Sequence, residues 1–136
     1  MKLSKHFTLE ELTRSATAQR LGLDNLPSVH ELANLMRLAT VLEDVRHVLG
    51  SRPILISSGF RSEAVNKAVG GSPSSAHRLG LAADFTCPGS PCTAFRERAI
   101  TLITVLKRPP SVRPWLDSIH RAPRPSSHQI GRPEAI

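Results

Sequence analysis

Apolar positions along the first hundred residues recur with two different periods. "FTLEELTRSATAQRLGL" opens on Thr8 with Glu11 three residues later, the two halves of a capping box, and Gly22 with "DNLP" closes it. That pattern predicts one short helix. In "SVHELANLMRLATVLEDVRHVLG", Leu32, Leu35, Met36, Ala39, Leu42, Val45 and Leu49 return at three-and-four spacing. The spacing predicts a long amphipathic helix between a Ser28 N-cap and a Gly50 stop, its Met and Leu stripe turned to the core. "RPILISSGF" is a β-rich run and predicts a buried strand of about five residues. "SEAVNKAVGG" predicts a short helix capped by Ser62 and closed by the glycine pair, and "GLAADFTC" a second strand centred on Ala82 to Phe85. Phe95, Ala99, Leu102, Ile103 and Leu106 then share one side of a third predicted helix, over about 90–106.

Beyond Leu106 the periodicity stops. Residues 107–136 hold six of the eleven prolines, which suit neither helix interiors nor central strands, so this stretch is expected to be irregular. The chain therefore divides into a domain over 1–106 and a Pro/Arg-rich tail over 107–136.

Composition changes this picture little. A length of 136 residues allows one domain with a real core, and 40% hydrophobic residues argue against a disordered chain. No run of eighteen apolar residues could cross a membrane. "MKLSKHFTLEELTRS" starts basic but has no apolar h-region, so synthesis as a soluble cytoplasmic protein is expected. Cys87 and Cys92 are too few for a disulfide framework, and a single C-x4-C lacks the second pair of a structural zinc site. Two reduced thiols near a turn are expected. The net charge of +7 is concentrated in the tail, where six basic residues face two acids for a net of +4. The first 106 residues hold twelve basic residues against nine acids. With four Phe, one Trp and no Tyr, stacking platforms are scarce, so a nucleic-acid partner rests on the tail's charge alone.

The chemistry that stands out is His77 and Asp84, seven residues apart among Gly, Ser and Ala in "GGSPSSAHRLGLAADFTCPG". A neutral imidazole and a carboxylate are both zinc donors, and a catalytic zinc takes three protein ligands. Such an ion acidifies water and polarises a carbonyl, the basis of metal-assisted amide hydrolysis. By spacing alone, H-x6-D equally describes two surface charges on a loop, and both readings stand at this point.

The surrounding residues carry a resemblance. Ser58, Gly59, Phe60, Arg61, Ser62, Asn66, Val69, Gly70, Gly71, Ser75, His77, Gly80, Ala82 and Asp84 meet the pattern S-G-[FY]-R-S-x3-N-x2-V-G-G-x3-S-x-H-x2-G-x-A-x-D. This resembles the zinc peptidases of the D-Ala-D-Ala carboxypeptidase family, which share a hedgehog-like fold and include many phage and prophage peptidoglycan-cleaving domains. The likeness extends over roughly residues 5–88, with a motif core at 57–88. It implies an α+β domain, helices packed on a small, mostly antiparallel sheet with a zinc cleft at its face. It implies that His77 and Asp84 are the first two Zn2+ ligands. It also implies that Arg61 faces the cleft, where a guanidinium can grip a substrate carboxylate or a developing oxyanion, and that Ser75 lines the substrate edge. Peptidoglycan peptides are the implied partners, reached after lysis or with a phage particle.

The resemblance further implies a third ligand, a His in a W-x-H element, with a carboxylate base shortly before its Trp. Here Trp115 is the only Trp, and "PWLDSIH" has Asp117 where the His should stand and His120 three residues further on. Three readings follow. His120 serves as third ligand with Asp117 as base; or the tail belongs to a different reading frame; or it replaces the family's own ending and makes a non-catalytic or partner-completed domain. The functional expectations are accordingly a zinc-dependent peptidase acting on peptidoglycan stem peptides, or an inactive relative that binds the wall or serves as a phage structural protein.

Overall fold

Side-chain caps decide where each helix begins in the computed structural model, which describes residues 1–104. The tail over 107–136, with Asp117 and His120, lies outside the described residues, and so does the predicted boundary at 106. Thr8 caps α1 (Leu9–Thr13), its hydroxyl accepting from the Glu11 N–H at 3.2 Å. The helix then stops, because Arg14 takes an extended ψ of 131° and Ser15 caps α2 (Ala16–Leu21) afresh. The single predicted helix is thus two, and Gly22 closes the second with φ of 65°. The predicted Ser28 cap starts α3 (Val29–Val48), and Glu31 makes it a full capping box: Ser28 accepts from Glu31 N and the Glu31 carboxylate accepts from Ser28 N.

The face of α3 that is buried differs from the predicted stripe by part of a turn. Leu35, Leu38, Ala39, Val41, Leu42 and Val45 are buried, whereas Met36 is 49% exposed. Leu38 and Val41 take the places expected of Leu32 and Met36.

Three strands form one antiparallel sheet in the order β1 (Leu55–Ser58), β2 (Ala82–Thr86), β3 (Ile100–Ile103). The third strand corrects the expected helix over 90–106. Only α5 (Thr93–Glu97) is helical there, and the chain then extends so that Ile100 to Ile103 pair with Phe85 to Ala82. "ITLI" is short, apolar and rich in β-branched residues, and it forms the ladder that the other side of β2 needs. The α+β architecture stands, with every observed pairing antiparallel.

β2 is the central strand and is buried along Ala82 to Phe85. Ala83 and Phe85 belong to the main core with α3, Phe7, Leu12, Phe60 and Phe95, while Ala82 packs with Ala76 and Leu81 in a second cluster. Alternation along the strand puts Asp84 on the Ala82 side, away from the α3 core. Among the described residues, no helix is long and apolar enough to cross a membrane.

The N-terminal segment is tied to α3 through Glu43, which accepts from Ser4 Oγ at 2.8 Å and His6 N at 2.6 Å and meets His6 Nδ1 at 2.7 Å. Burial pushes this carboxyl up, but the bonds from His6 and Ser4 outweigh it and hold the pKa below its ordinary 4.5. A carboxylate depressed on folding contributes stability that is complete above its unfolded pKa and is lost as pH falls through the folded one. Urea midpoints are therefore expected to fall as pH drops below about 4.5, and Glu43→Gln to flatten that dependence. An unchanged acid profile in the variant would discard this account.

Candidate metal and substrate site

The site is assembled where the end of β1, the turn after α4 (Glu63–Ala68) and β2 meet. Leaving β1, the chain passes beside α1 so closely that Phe60 N donates to Leu12 O at 2.7 Å. Asn25 fastens the next residues: its Nδ2 donates to Thr13 O (2.7 Å) and Phe60 O (3.0 Å), and its Oδ1 accepts from Ser62 N (2.7 Å). Ser62 in turn caps α4 by accepting from Val65 N. Arg61 is thereby fixed between two anchors, and its own N–H donates to His77 O at 3.0 Å.

His77 sits in a single 3-10 turn (Ala76–Leu79) capped by Ser75, whose hydroxyl accepts from His77 N at 3.3 Å. Its ring is wholly buried, with Nδ1 2.8 Å from Gly59 O. A carbonyl oxygen only accepts, so Nδ1 is the donor in this contact, and the lone pair of a neutral imidazole with that tautomer is on Nε2. Nε2 has no hydrogen-bond partner; among the described residues the only other buried side-chain N or O so placed is Thr104 Oγ1.

Among the described residues the carboxylate nearest to Nε2 is Asp84, whose Oδ1 lies 3.6 Å away, beyond hydrogen-bond range. In the register Asp84 lies opposite Ser58 on one side and Thr101 on the other. The β1 ladder is irregular between Ile56 and Ser58, two residues there facing one step of β2, and Ser57 Oγ donates to Asp84 O at 3.2 Å. Thr101 Oγ1 donates to Asp84 Oδ1 at 2.5 Å. Two zinc donors at ordinary bond lengths and tetrahedral angle stand about 3.4 Å apart, so a lone-pair nitrogen and a carboxylate oxygen at 3.6 Å suit a shared cation.

Arg61 is half-buried beside this pair. Burial lowers its guanidinium pKa and the Asp84 charge opposes that, and the group stays cationic, as arginine does in proteins. Its Nη1 donates to Asn66 Oδ1 at 3.3 Å, and buried Asn66 donates from Nδ2 to Ser72 O at 2.8 Å. A side chain at Gly71 would land on that Asn66 oxygen and within 2.9 Å of Arg61 Nη1, so the second glycine of the pair is needed for close approach. A cleft of about 630 Å³ runs alongside, lined by Arg14, Thr17, Ser57, Ser58, Arg61 and Ser75 among others. His77 and Asp84 do not line it; Ser58, the strand partner of Asp84, and Ser75, the cap of the His77 turn, do. Among the described residues, no carboxylate lines it and neither Arg14 nor Arg61 is ion-paired.

The family model described as peptidase M15 matches residues 5–102. The chain belongs to the peptidase M15 family. The zinc D-Ala-D-Ala carboxypeptidase of Streptomyces albus G is 35% identical to it over 79 residues, 58% of this chain and 30% of that protein. The match therefore spans less than a third of the relative's length.

This M15 domain brings His77, Asp84, Arg61 and Ser75 into one region. Asp117 and His120 fall outside the described residues, and among those described no group of three or more His, Cys, Asp or Glu could hold a metal. Cys87 and Cys92 are free, as expected; burial pushes the Cys87 thiol up, with Arg52 opposing. Sequence reasoning missed Asn25 and Thr101. In the sequence Asn25 is only part of a helix-ending "GLDNLP", and Thr101 falls within the helix expected over 90–106.

Proposed function

We propose that this M15 domain is a zinc-dependent peptidase that hydrolyses peptide bonds of peptidoglycan stem peptides. The observation that carries the reading is the buried, unpartnered Nε2 of His77 facing the Asp84 carboxylate at 3.6 Å. A buried polar atom without a partner costs free energy, and the loss is offset when a cation is the partner. His77 and Asp84 are two ligands in this reading, and the third comes from beyond residue 104, with His120 as that ligand and Asp117 as the base. A zinc ion there supplies a Lewis acid and an acidified water. The chain's own residues do the rest. Gly59 O holds the His77 ring by its Nδ1–H, and Arg61, aimed by Asn66, orients a substrate carboxylate or faces the oxyanion. Ser75 borders the cleft that receives the peptide. The named substrate of the Streptomyces relative, a D-Ala-D-Ala end, supports this substrate class.

A second reading is favoured by one observation. Where the family pattern has W-x-H, "PWLDSIH" has Asp117, which suits an inactive, wall-binding or phage structural member.

Zinc content of the purified full chain and amine release from peptidoglycan separate the two. One zinc per chain is expected, with release abolished by a chelator and restored by added zinc. Zinc without release supports the binder; a chain that holds no zinc overturns the metal reading.

A further inference from the structure

We propose that Thr101 is a positioning residue that sets the zinc affinity of this site by holding the Asp84 carboxylate; the inference rests on the reading of Asp84 as a ligand. Thr101 stands directly across the β2–β3 ladder from Asp84, and its hydroxyl donates to Oδ1. That is the same oxygen that faces His77 Nε2. Ser57, on the other side of the strand, bonds the Asp84 main-chain oxygen and not its carboxylate.

The register makes the contact obligatory. Leu102, the next residue, is 2% exposed in the main core, so a slip of one residue would put a leucine against the carboxylate and the threonine in the core. A carboxylate has about four acceptor sites, and one strong bond from a fixed strand pins its rotation while leaving the others for a cation. Ligating carboxylates are commonly held in this way, and losing such a partner costs about 10–100-fold in metal affinity.

The test measures zinc dissociation constants of the full chain by competition with a chromophoric chelator, with the visible spectrum of the cobalt-substituted protein as a second readout. Thr101→Val keeps the β-branched shape and removes the hydroxyl; Thr101→Ala removes it without adding a methyl, and serves if the valine variant does not fold. Both are expected to weaken zinc about 10–100-fold and to shift the cobalt spectrum. The zinc-free melting temperature stays close to wild type. Thr101→Ser restores wild-type affinity. Unchanged affinity in both hydroxyl-free variants overturns the inference and leaves the Asp84 reading intact. A serine variant as weak as valine also overturns it, because packing and not the hydroxyl would then be responsible. A wild-type chain that binds no zinc overturns the underlying reading instead.

Discussion

Exchanging His77 for alanine is expected to strip the domain of zinc and to reduce peptidoglycan hydrolysis to background. The side chain serves two neighbours at once. Its Nδ1 is spent on Gly59 O at 2.8 Å, which orients the ring, and its buried Nε2 has no hydrogen-bond partner and is the proposed zinc donor. Loss of an indirect partner costs about 10–100-fold in affinity, so loss of a donor itself is expected to cost at least about 100-fold. The fold will also suffer. The ring is 0% exposed, so alanine leaves a void and a Gly59 carbonyl without its donor, together about 1–3 kcal/mol or more. Circular dichroism of the metal-free variant separates the two effects: a folded chain without zinc or turnover is expected. A variant that retains zinc and hydrolyses at the wild-type rate would remove His77 from the mechanism.

The stretch from Ser58 to Asp84 was legible because most of its constraints are local. Ser62 and Ser75 cap the turns that follow them, as their side-chain bonds to Val65 N and His77 N show. What the sequence hid was long-range. Asn25 bonds Phe60 and Ser62, 35 and 37 residues away, and nothing in "GLDNLP" signals a partner at that distance. β3 was hidden for a different reason. Phe95, Ala99, Leu102 and Ile103 happen to fall at helical spacing, and a four-residue apolar run cannot be assigned by period alone. Ile100 to Ile103 extend because β2 has a ladder to complete, a tertiary demand that also carries Thr101 to Asp84. The division of the first helix was visible in principle: Ser15 is an N-cap residue type, and its hydroxyl takes Ala18 N at 3.1 Å.

The largest effect on stability is expected from Gly59→Ala, at a position whose requirement for glycine is one of space. The added Cβ would be driven into Leu12 O, with Leu12 C at 3.0 Å and Leu12 Cα at 3.1 Å. These are backbone atoms of α1, not the end of a side chain that could swing aside. Overpacking of this kind costs about 1–3 kcal/mol and occasionally more, and an immovable neighbour places this case near the top. About 3 kcal/mol lowers the melting temperature of a domain this size by on the order of 10 °C. Relief requires α1 to retreat, which breaks the Phe60 N to Leu12 O bond, or the 59–61 segment to shift. The second route moves the oxygen that holds His77 Nδ1, so weakened zinc binding accompanies the lower melting temperature. Both are read on one preparation, by thermal melts without metal and by zinc titration. A variant that melts within a degree or two of wild type would show that α1 is not pressed against the end of β1. The glycine of "SSGFRS" would then need another reason, whereas in this structure it is demanded by the helix beside it and serves the site only through the carbonyl it holds in place.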